Sequence, residues 1–363
     1  MTKITDIPAI RFKGFSDTWE QRKLGDVVDV RSGKDYKHLS EGNIPVYGTG
    51  GFMLSVNQAL SYDEDAIGIG RKGTIDKPYI LKAPFWTVDT LFYAIPREKV
   101  DLNFAFDVFQ NIDWKKKDES TGVPSLSKTA INEIDVLVPQ YDEQQPLGQF
   151  FNRIDNLITL HQRKYDKLTN VKKSMLEKMF PQNGSNAPEI RFKGFTEAWE
   201  QRKVREVTDR YDNLRIPVAA SLRVAGTTPY YGANGIQDYV DGYTHDGEFI
   251  LVAEDGANDL KNYPVKCVKG RIWVNNHAHV LQGKYDCADN QFLAYAISQA
   301  DIESLLVGGG RAKLNAETLM GIDLLLPNKA EQIRIGKYLA QLDNLITLHQ
   351  RKPNFYTGGY YAE

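Results

Sequence analysis

The sequence predicts an α+β protein made of two tandem mixed α/β domains, each followed by a long helix. Three observations lead to this prediction: a duplication with an offset of 180 to 188 residues, interiors that read as short strands and turns, and an apolar stripe at helical spacing between the copies. The predicted segments are a first domain at 1–141, a spacer helix and linker at 142–187, a second domain at 188–329, a shortened second helix at 330–352 and an irregular tail at 353–363.

The duplication is clearest at the ends of each copy. Residues 9–23 and 189–203 agree at eleven of fifteen positions, and residues 155–164 and 343–352 share the sequence DNLITLHQRK. The interiors diverge. Matching ends indicate that both copies meet the same kind of partner, and differing interiors indicate that each copy binds a different ligand. Simple drift after an old duplication is the alternative.

The interiors have the composition of short strands between turns. Runs such as AIGIG and FILVAED are bounded by Gly, Pro, Asp and Lys, which is typical of strands. The segments DLNFAFDVFQNI and NQFLAYAISQADI instead have helical spacing. Each domain is therefore expected to be mixed, with strands predominating.

A near-heptad apolar stripe follows Pro139 and predicts a helix over 142–180. At about 1.5 Å per residue this helix would be roughly 58 Å long. That length exceeds what one small domain needs to cover its core, and it suits a spacer or a coiled coil. The second copy of the stripe reaches only about half as far before it meets Pro353.

The composition bounds the class of protein. The chain is 42% hydrophobic and 25% charged and has neither a membrane-length apolar run nor a secretory signal, so a cytoplasmic location and no membrane partner are expected. Cys267 and Cys287 lie far apart, which argues against a disulfide framework or a zinc site. A net charge of −2 counts against a simple nucleic-acid binder, but a basic face or a partner can supply the phosphate contacts.

Catalytic signatures are absent from the sequence. It contains no GxxxxGK[ST], HExxH or GxSxG motif and no adenine-methyltransferase signature of the NPPY or DPPY form. We therefore expect a non-catalytic chain that binds no metal or cofactor of its own.

The two IRFKGF…WEQRK starts, the two DNLITLHQRK helices and the variable interiors together resemble the specificity subunit of type I restriction–modification systems, over nearly the whole chain. The resemblance implies two target-recognition domains that each read half of a split site in double-stranded DNA. It implies two helical regions that pack as an antiparallel coiled coil. It also implies docking of two methyltransferase subunits, which would hold S-adenosylmethionine, and of a restriction subunit, in an adenine methyltransferase and endonuclease complex.

One loop of the first domain is a candidate phosphate-binding site. Residues 68–75 read GIGRKGTI, in which glycines allow close approach of the backbone to a phosphate and Arg71, Lys72 and Gly73 are the expected DNA contacts. A plain turn is one alternative. A nucleotide-binding loop is the other, but it needs a following helix, which Pro78 disfavours.

A second pair of candidates occupies equivalent places in the two copies. The segments YGTGG and YGANG place Tyr47, Thr49 and Gly50 in the first copy, and Tyr231 and Asn234 in the second, in loops small enough to enter a DNA groove. Thr49 and Asn234 are expected to hydrogen-bond base edges. A hairpin turn with a packed tyrosine is the alternative.

The stretch NNHAH in the second copy is a third candidate. Asn276 and His277 are expected to contact DNA, although a hydrogen-bonded end of a strand is an alternative. His277 and His279 alternate, so in a strand they would point the same way and could bind a metal, but no third ligand is evident nearby.

Two basic loops complete the candidates. Lys115 and Lys116 follow Trp114 in the first copy, and Arg311 and Lys313 belong to GGGRAK in the second, near the same place relative to the last strand. Flexible basic loops suit backbone phosphates. Solvated surface runs are the alternative.

The helices supply the expected partner-binding residues, which are Leu157, Leu168, Val171, Met175, Leu342 and Leu345. Because the second stripe is short, the far part of the first is expected to lack an internal partner and to promote self-association. Two other functions stay open. The chain could be a truncated adaptor that docks methyltransferase subunits with little DNA specificity, or a nucleotide-dependent enzyme that uses the loop at 68–73.

Overall fold

Each copy of the repeat folds into a unit of its own in the computed structural model, which describes residues 7–182, 184–308 and 312–350. Unit 1 is Met1–Leu160 and unit 2 is His161–Glu363. Both units combine strands with helices, so the predicted α+β class is confirmed. The tail predicted at 353–363 lies outside the described residues.

Unit 1 contains two sheets and a short ladder that joins its two ends. Its strands are β1 (Glu20–Lys23), β2 (Val28–Ser32), β3 (Glu41–Gly48), β4 (Gly51–Val56), β5 (Ala66–Gly70), β6 (Tyr79–Leu81), β7 (Trp86–Thr87), β8 (Leu91–Pro96) and β9 (Asp135–Val138). Its helices are α1 (Leu24–Val27), α2 (Leu102–Asn111), α3 (Lys128–Asn132), a 3₁₀ turn at Trp114–Lys117 and the first part of α4 (Tyr141–Met179). The strand orders are β2-β8-β5-β6, β4-β3-β7 and β1-β9.

Unit 2 has the same plan with one larger sheet. Its strands are β10 (Glu200–Lys203), β11 (Thr208–Arg210), β12 (Ala225–Gly232), β13 (Gly235–Val240), β14 (His245–Ala253), β15 (Val265–Val274), β16 (Ala278–Gly283) and β17 (Asp323–Leu326). Its helices are α5 (Val204–Val207), α6 (Asn290–Ser298), α7 (Ala316–Gly321), α8 (Lys329–Gln350) and 3₁₀ turns at Asp212–Leu214, Ala220–Leu222 and Glu303–Leu305. Among the described residues, the strand orders are β11-β16-β14-β15-β12-β13 and β10-β17.

The start and the end of each repeat pair with each other, in the same way in both units. In unit 1, β1 runs antiparallel to β9, so that Glu20 lies opposite Val138. In unit 2, β10 runs antiparallel to β17, so that Glu200 lies opposite Leu326. The repeated start and the repeated end therefore form one ladder, which closes each unit.

The two predicted interior helices, α2 and α6, are confirmed. The Asp101 carboxylate accepts a hydrogen bond from the Phe104 amide at 3.0 Å, and the Asp289 carboxylate accepts one from the Phe292 amide at 2.8 Å. These are N-caps, which satisfy amide groups that the first helical turn leaves free. Phe104 and Phe292 are buried just inside the caps and belong to the core of their units.

A buried ion pair ties each repeat start to the helix that follows the repeat. The Arg11 guanidinium donates two hydrogen bonds of 2.6 Å to Glu143, and the Arg191 guanidinium donates two of 2.7 Å to Glu331. Glu143 is 1% exposed and Glu331 is 0% exposed. The repetition of IRFKGF and of the glutamate near the helix start therefore has a structural cause, namely a two-pronged arginine–carboxylate contact, which joins residues 132 apart in the first copy and 140 apart in the second.

The two long helices that the apolar stripes predict are confirmed. The predicted helix over 142–180 is observed as α4, and α8 ends its described part at Gln350. Within unit 2 they run antiparallel, because Lys172 pairs with Asp343 at 2.5 Å while His161 lies earlier on α4 and contacts His349 later on α8, with Nδ1 atoms 2.8 Å apart.

Candidate nucleic-acid interface

In unit 1 the loop after β5 lies beside the turn between β3 and β4. Gly73 has φ +97°, and a Cβ placed there would be 3.9 Å from the Thr49 hydroxyl. The Tyr79 hydroxyl donates to the Gly48 carbonyl at 2.6 Å, which anchors the same turn. The structure therefore brings together the two segments that sequence analysis had named separately.

The backbone of the loop after β5 is fixed from both sides. A Cβ on Gly70 would lie 1.9 Å from the Thr74 carbonyl oxygen, so only glycine allows this closure. The Gly73 amide donates to the Pro124 carbonyl at 2.8 Å, and the Arg71 carbonyl accepts from the Leu126 amide at 2.9 Å. Glycine serves the internal closure of the loop at Gly70, while the Arg71 and Lys72 side chains remain exposed.

The loop does not have the geometry of a nucleotide-binding loop. It leads from β5 into β6, and these strands pair antiparallel, with Ala66 opposite Leu81. A dinucleotide site places its phosphates at the N-terminus of a helix that follows the loop. Among the described residues no helix lies between β5 and β6, which removes the structural basis for that alternative.

The cations of unit 1 surround this loop but differ in their partners. The Arg71 guanidinium donates to the Asp89 carbonyl at 3.3 Å and is exposed. Lys115 pairs with Asp76 at 3.0 Å and Lys116 with Asp113 at 2.9 Å, yet the two lysine side chains are 75% and 82% exposed. Exposed pairs of this kind are weak, so these lysines can exchange carboxylates for phosphates.

In unit 2 the loop after β14 occupies the place of the loop after β5. The Leu314 amide donates to the Glu254 carbonyl at 2.8 Å, as the Leu126 amide does to the Arg71 carbonyl. Asp255 forms a β-bridge with Lys313, as Lys72 does with Ser125. Unit 2 thus carries two carboxylates, held in contacts within the fold, at the position where unit 1 carries two exposed cations.

A buried charge network supports the unit 2 loop, and sequence analysis missed it. Glu254 accepts from Arg215 at 2.6 Å and pairs with Lys313 at 2.8 Å, while His279 lies 2.7 Å from Asp212. Burial alone would raise the pKa of Glu254, but the hydrogen bonds from Lys313 and Arg215 outweigh it and lower that pKa. These residues lie far apart in sequence and form no motif, so only the fold reveals them.

Most of the predicted contacts of unit 2 converge on this loop. The Asn234 amide donates to the Gly256 carbonyl and accepts from the Asn258 amide, both at 2.9 Å, so that both ends of its side chain are engaged within the fold. His277 Nδ1 lies 2.5 Å from Asp255, and Asn276 is exposed beside it.

Tyr231 occupies the strand end that sequence analysis assigned to it. It is 7% exposed and belongs to an apolar cluster with Phe249 and Leu251. Tyr47, its counterpart in unit 1, is half-buried and packs its ring 6.1 Å from that of Tyr79. Both tyrosines therefore support the hairpin turns from below, and the turn residues beside them are closer to solvent.

The alternating histidines of NNHAH do not share a site. His277 faces Asp255, whereas His279 is 1% exposed and bonds to Asp212 through Nδ1 and to the Leu314 carbonyl through Nε2. In the described part of the chain no three His, Cys, Asp or Glu side chains are grouped so as to hold a metal ion.

The two basic loops are not equivalent, which corrects the sequence interpretation. The 3₁₀ turn that carries Lys115 and Lys116 corresponds to the turn Glu303–Leu305 of unit 2, because the offset of 188 places Trp114 on Ile302 and both residues are 2% exposed. Lys313 instead corresponds to Ser125. The two basic runs therefore stand at different positions of the repeat, although the segments that carry them have the same length. Arg311 lies outside the described residues.

The helical stripe is largely an internal surface. Leu168, Val171 and Met175 pack against the core of unit 2, and Leu342 is 7% exposed within it. The expectation that this part of the stripe lacks an internal partner is therefore wrong. Leu157 and Leu345, which are equivalent in the two copies, keep 55% and 43% exposure and remain available to a partner.

The chain is similar to known proteins over most of its length. The family model described as type I restriction modification DNA specificity domain matches residues 16–170 and 196–355. A type I restriction enzyme specificity subunit of Haemophilus influenzae is 44% identical over 146 residues, which are 40% of this chain and 38% of that protein. One of Methanocaldococcus jannaschii is 21% identical and covers 93% of this chain and 88% of that protein.

The fold itself recurs in a solved structure. A type I restriction–modification S subunit from M. genitalium aligns with a TM-score of 0.71 and 12% identity, over 95% of this chain and 93% of that one. No helix in the described ranges has the length and apolar character needed to cross a membrane. With two matches to the family model, one on each repeat, the chain belongs to the type I restriction–modification specificity subunits, which are non-catalytic.

Proposed function

We propose that each unit reads one half of a split site in double-stranded DNA, and that the loops after β5 and β14 lie at the contact. The observation that carries this proposal is the contrast between identical ends and different loops at one position of the fold. Matching ends give the two units the same support, and loops with different side chains at the same position give each unit its own ligand surface.

In unit 1, Arg71 and Lys72 bind phosphates from a rigid loop. The loop is pinned at 2.8 and 2.9 Å to the segment 124–126, so its exposed cations are held in place before DNA arrives. Thr49 and Gly50 lie at the adjacent turn, and the Thr49 hydroxyl suits a base edge. Lys115 and Lys116 add charge at the margin, since both lysine side chains are mostly exposed.

In unit 2, Asn276, His277 and Lys313 are the contacts that the geometry favours. They lie beside the loop at 254–256, where Asn276 is exposed, and asparagine and lysine side chains can hydrogen-bond base edges in the major groove. Asn234 acts by holding this loop, because its amide is already bonded on both sides. Tyr231 supports the turn between β12 and β13 from the core, and we assign Arg311 a phosphate contact.

The long helices provide the frame for the partners. Leu157 and Leu345 are exposed at equivalent positions of the two repeats, so the chain offers the same apolar contact twice. Two copies suit two methyltransferase subunits, which would carry S-adenosylmethionine and the adenine methylation chemistry, and a restriction subunit would add endonuclease activity. We place this complex in the cytoplasm.

The test is an exchange of one interior. Residues 24–138 are replaced by the corresponding interior of another chain of the family, the hybrid is supplied to a host with its methyltransferase partner, and the host methylome is sequenced. We expect one half-site to change and the other to persist. A site altered in both halves would contradict independent reading.

The adaptor alternative is separated by competition. Specific and random duplexes compete for the assembled complex at fixed salt, with the methylated sequence as the specific duplex. A specificity subunit prefers the specific duplex by about a thousandfold or more. Equal competition would favour an adaptor with little DNA specificity.

A further inference from the structure

The end of α4 completes the core of unit 2. The Phe180 ring packs against both Trp199 and Phe292, with centroid distances of 5.9 and 5.5 Å. Met179 and Phe180 are 2% and 5% exposed. This helix end therefore occupies an apolar cleft that the repeat itself creates.

Unit 1 contains the same cleft. Trp19 and Phe104 are the repeat equivalents of Trp199 and Phe292, and their ring centroids lie 6.1 Å apart, against 5.7 Å in unit 2. In unit 1 they line a cavity of about 770 Å³. No residue of the described part of unit 1 takes the place that Phe180 has in unit 2.

Equivalent residues of the two clefts also differ in how exposed their side chains are. Leu339 of α8 is 0% exposed beneath the helix end, whereas its counterpart Phe151 on α4 is 45% exposed and lines the cavity. Trp199 is 3% exposed, whereas Trp19 is half-buried. Unit 1 thus presents an apolar surface of the shape and composition that unit 2 covers with a helix end.

The charged residues beside the two clefts indicate that whatever covers the cleft of unit 1 carries a cation. In unit 2 the Tyr295 hydroxyl donates to Asp343 at 2.6 Å, and Lys172 of the covering helix pairs with Asp343 at 2.5 Å. The counterparts in unit 1 are Asp107 and Asp155. One oxygen of Asp107 is buried with no hydrogen-bond partner among the described residues. Two carboxylates therefore stand where unit 2 has one carboxylate neutralised by a lysine.

A second copy of this chain is not the occupant. The described residues contain two clefts and one such helix end, so a second copy brings two more clefts and one more helix end. We propose that the cleft of unit 1 binds the C-terminal end of a helix from a different partner chain, with the spacing Lys-x-x-Met-Leu-x-x-Met-Phe that residues 172–180 show. The lysine meets Asp107 and Asp155, and the last two apolar residues fill the cavity.

The test uses the full chain and a fluorescein-labelled peptide of residues 163–182, bridged by a lactam so that it stays helical. Fluorescence anisotropy should show saturable binding. Replacing the peptide residues Met179 and Phe180 by alanine should weaken binding at least tenfold, and Lys172→Glu several-fold. Absence of saturable binding up to millimolar peptide overturns the proposal. No DNA is present, so the result is independent of the proposed half-site reading.

Variants of the chain locate the binding. Phe151→Arg places a cation in the cleft and should abolish binding, whereas Phe52→Arg, at a 63% exposed aromatic outside the cavity lining, should leave it unchanged. A photoreactive phenylalanine in place of Phe180 of the peptide should crosslink to 104–111 or 147–151. Crosslinks to 292–299 would show exchange at unit 2 and overturn the proposal.

Two further outcomes decide between occupants. If the peptide binds only after residues 351–363 are removed, the chain covers its own cleft and the partner helix is refuted. If light scattering shows self-association that Phe151→Arg abolishes, a second copy is the occupant, with the same consequence. Equal binding with and without residues 351–363 by a monomeric chain supports the partner helix.

Discussion

Glu331→Gln tests whether the buried arginine pair holds the repeat start against its helix. The substitution keeps the shape and one acceptor but removes the charge. Arg191 donates two hydrogen bonds of 2.7 Å to Glu331, whose side chain is 0% exposed, while that of Arg191 is 14% exposed. The perturbation therefore leaves a mostly buried guanidinium with half of its acceptors and no counter-charge.

The expected cost follows from these contacts. A hydrogen bond to a charged group contributes about 1.5–3 kcal/mol net, and breaking a buried pair from one side costs about 3–5 kcal/mol. Because Gln keeps one acceptor and Arg191 reaches water at its edge, we expect a loss of about 2–3 kcal/mol in the free energy of opening unit 2, which corresponds to roughly 30- to 150-fold faster exchange.

Native-state hydrogen exchange read by mass spectrometry measures this unit by unit. The amides of α6 should exchange faster in Glu331→Gln, and those of α2 should not. The matched variant Glu143→Gln should reverse the pattern, because it breaks the equivalent pair in unit 1. Glu317→Gln, which loses only an exposed pair with Arg205 at 3.6 Å, serves as the control and should change neither. A change below threefold in Glu331→Gln would refute the assignment of a stabilising role to the pair.

Three further outcomes are expected. Arg71→Ala or Lys72→Ala should weaken binding of all DNA sequences alike and reduce the slope of log K against log salt by about 0.9, measured by titration at several salt concentrations; loss confined to one sequence would mean that the residue reads bases. Inserting four residues, about one helical turn, near Leu160 should lengthen the spacer of the methylated site and keep both half-sites, and an unchanged spacer in the methylome would show that α4 is not the ruler. Burial, then the nearby Asp155, raises the pKa of Asp107 to about 7. The wild type should therefore lose stability between about pH 4 and pH 7, where the unfolded chain releases this proton and the folded chain retains it. Asp107→Asn should gain about 1–2 kcal/mol above pH 7 after allowance for solvent screening and nothing below pH 4, by urea denaturation at both pH values, and a gain equal at both would exclude titration of Asp107 as its cause.

Sequence reasoning succeeded where the physics is local. The apolar spacing of 102–111 and 290–298 sufficed for α2 and α6, because an amphipathic helix with an aspartate cap is specified by nearby residues. The equivalence of the two hairpin turns also followed from short motifs, and both turns join paired strands in the fold.

It failed where contacts span long stretches of chain. The network of Arg215, Glu254 and His279 joins two loops and the strand β16, and no spacing pattern in the sequence predicts it. The equivalence of Lys115 with the GGGRAK loop failed because the basic residues stand at different places in the two copies: at the offset of 188, Lys115 corresponds to Glu303 and Lys313 to Ser125. The stripe on α4 gave the correct helix but not its partner, since a stripe records that a face is buried and not what buries it.

The contact between His161 and His349 joins the same residue of two repeats, with Nδ1 atoms 2.8 Å apart. Such a contact is isologous in kind, as at the two-fold interface of a homodimer. A chain with a single copy of this helix would make the same contact with another copy of itself, so gene fusion of two such chains would preserve it without redesign. The two repeats share this histidine while their loops differ, so the loops can change without loss of the contact.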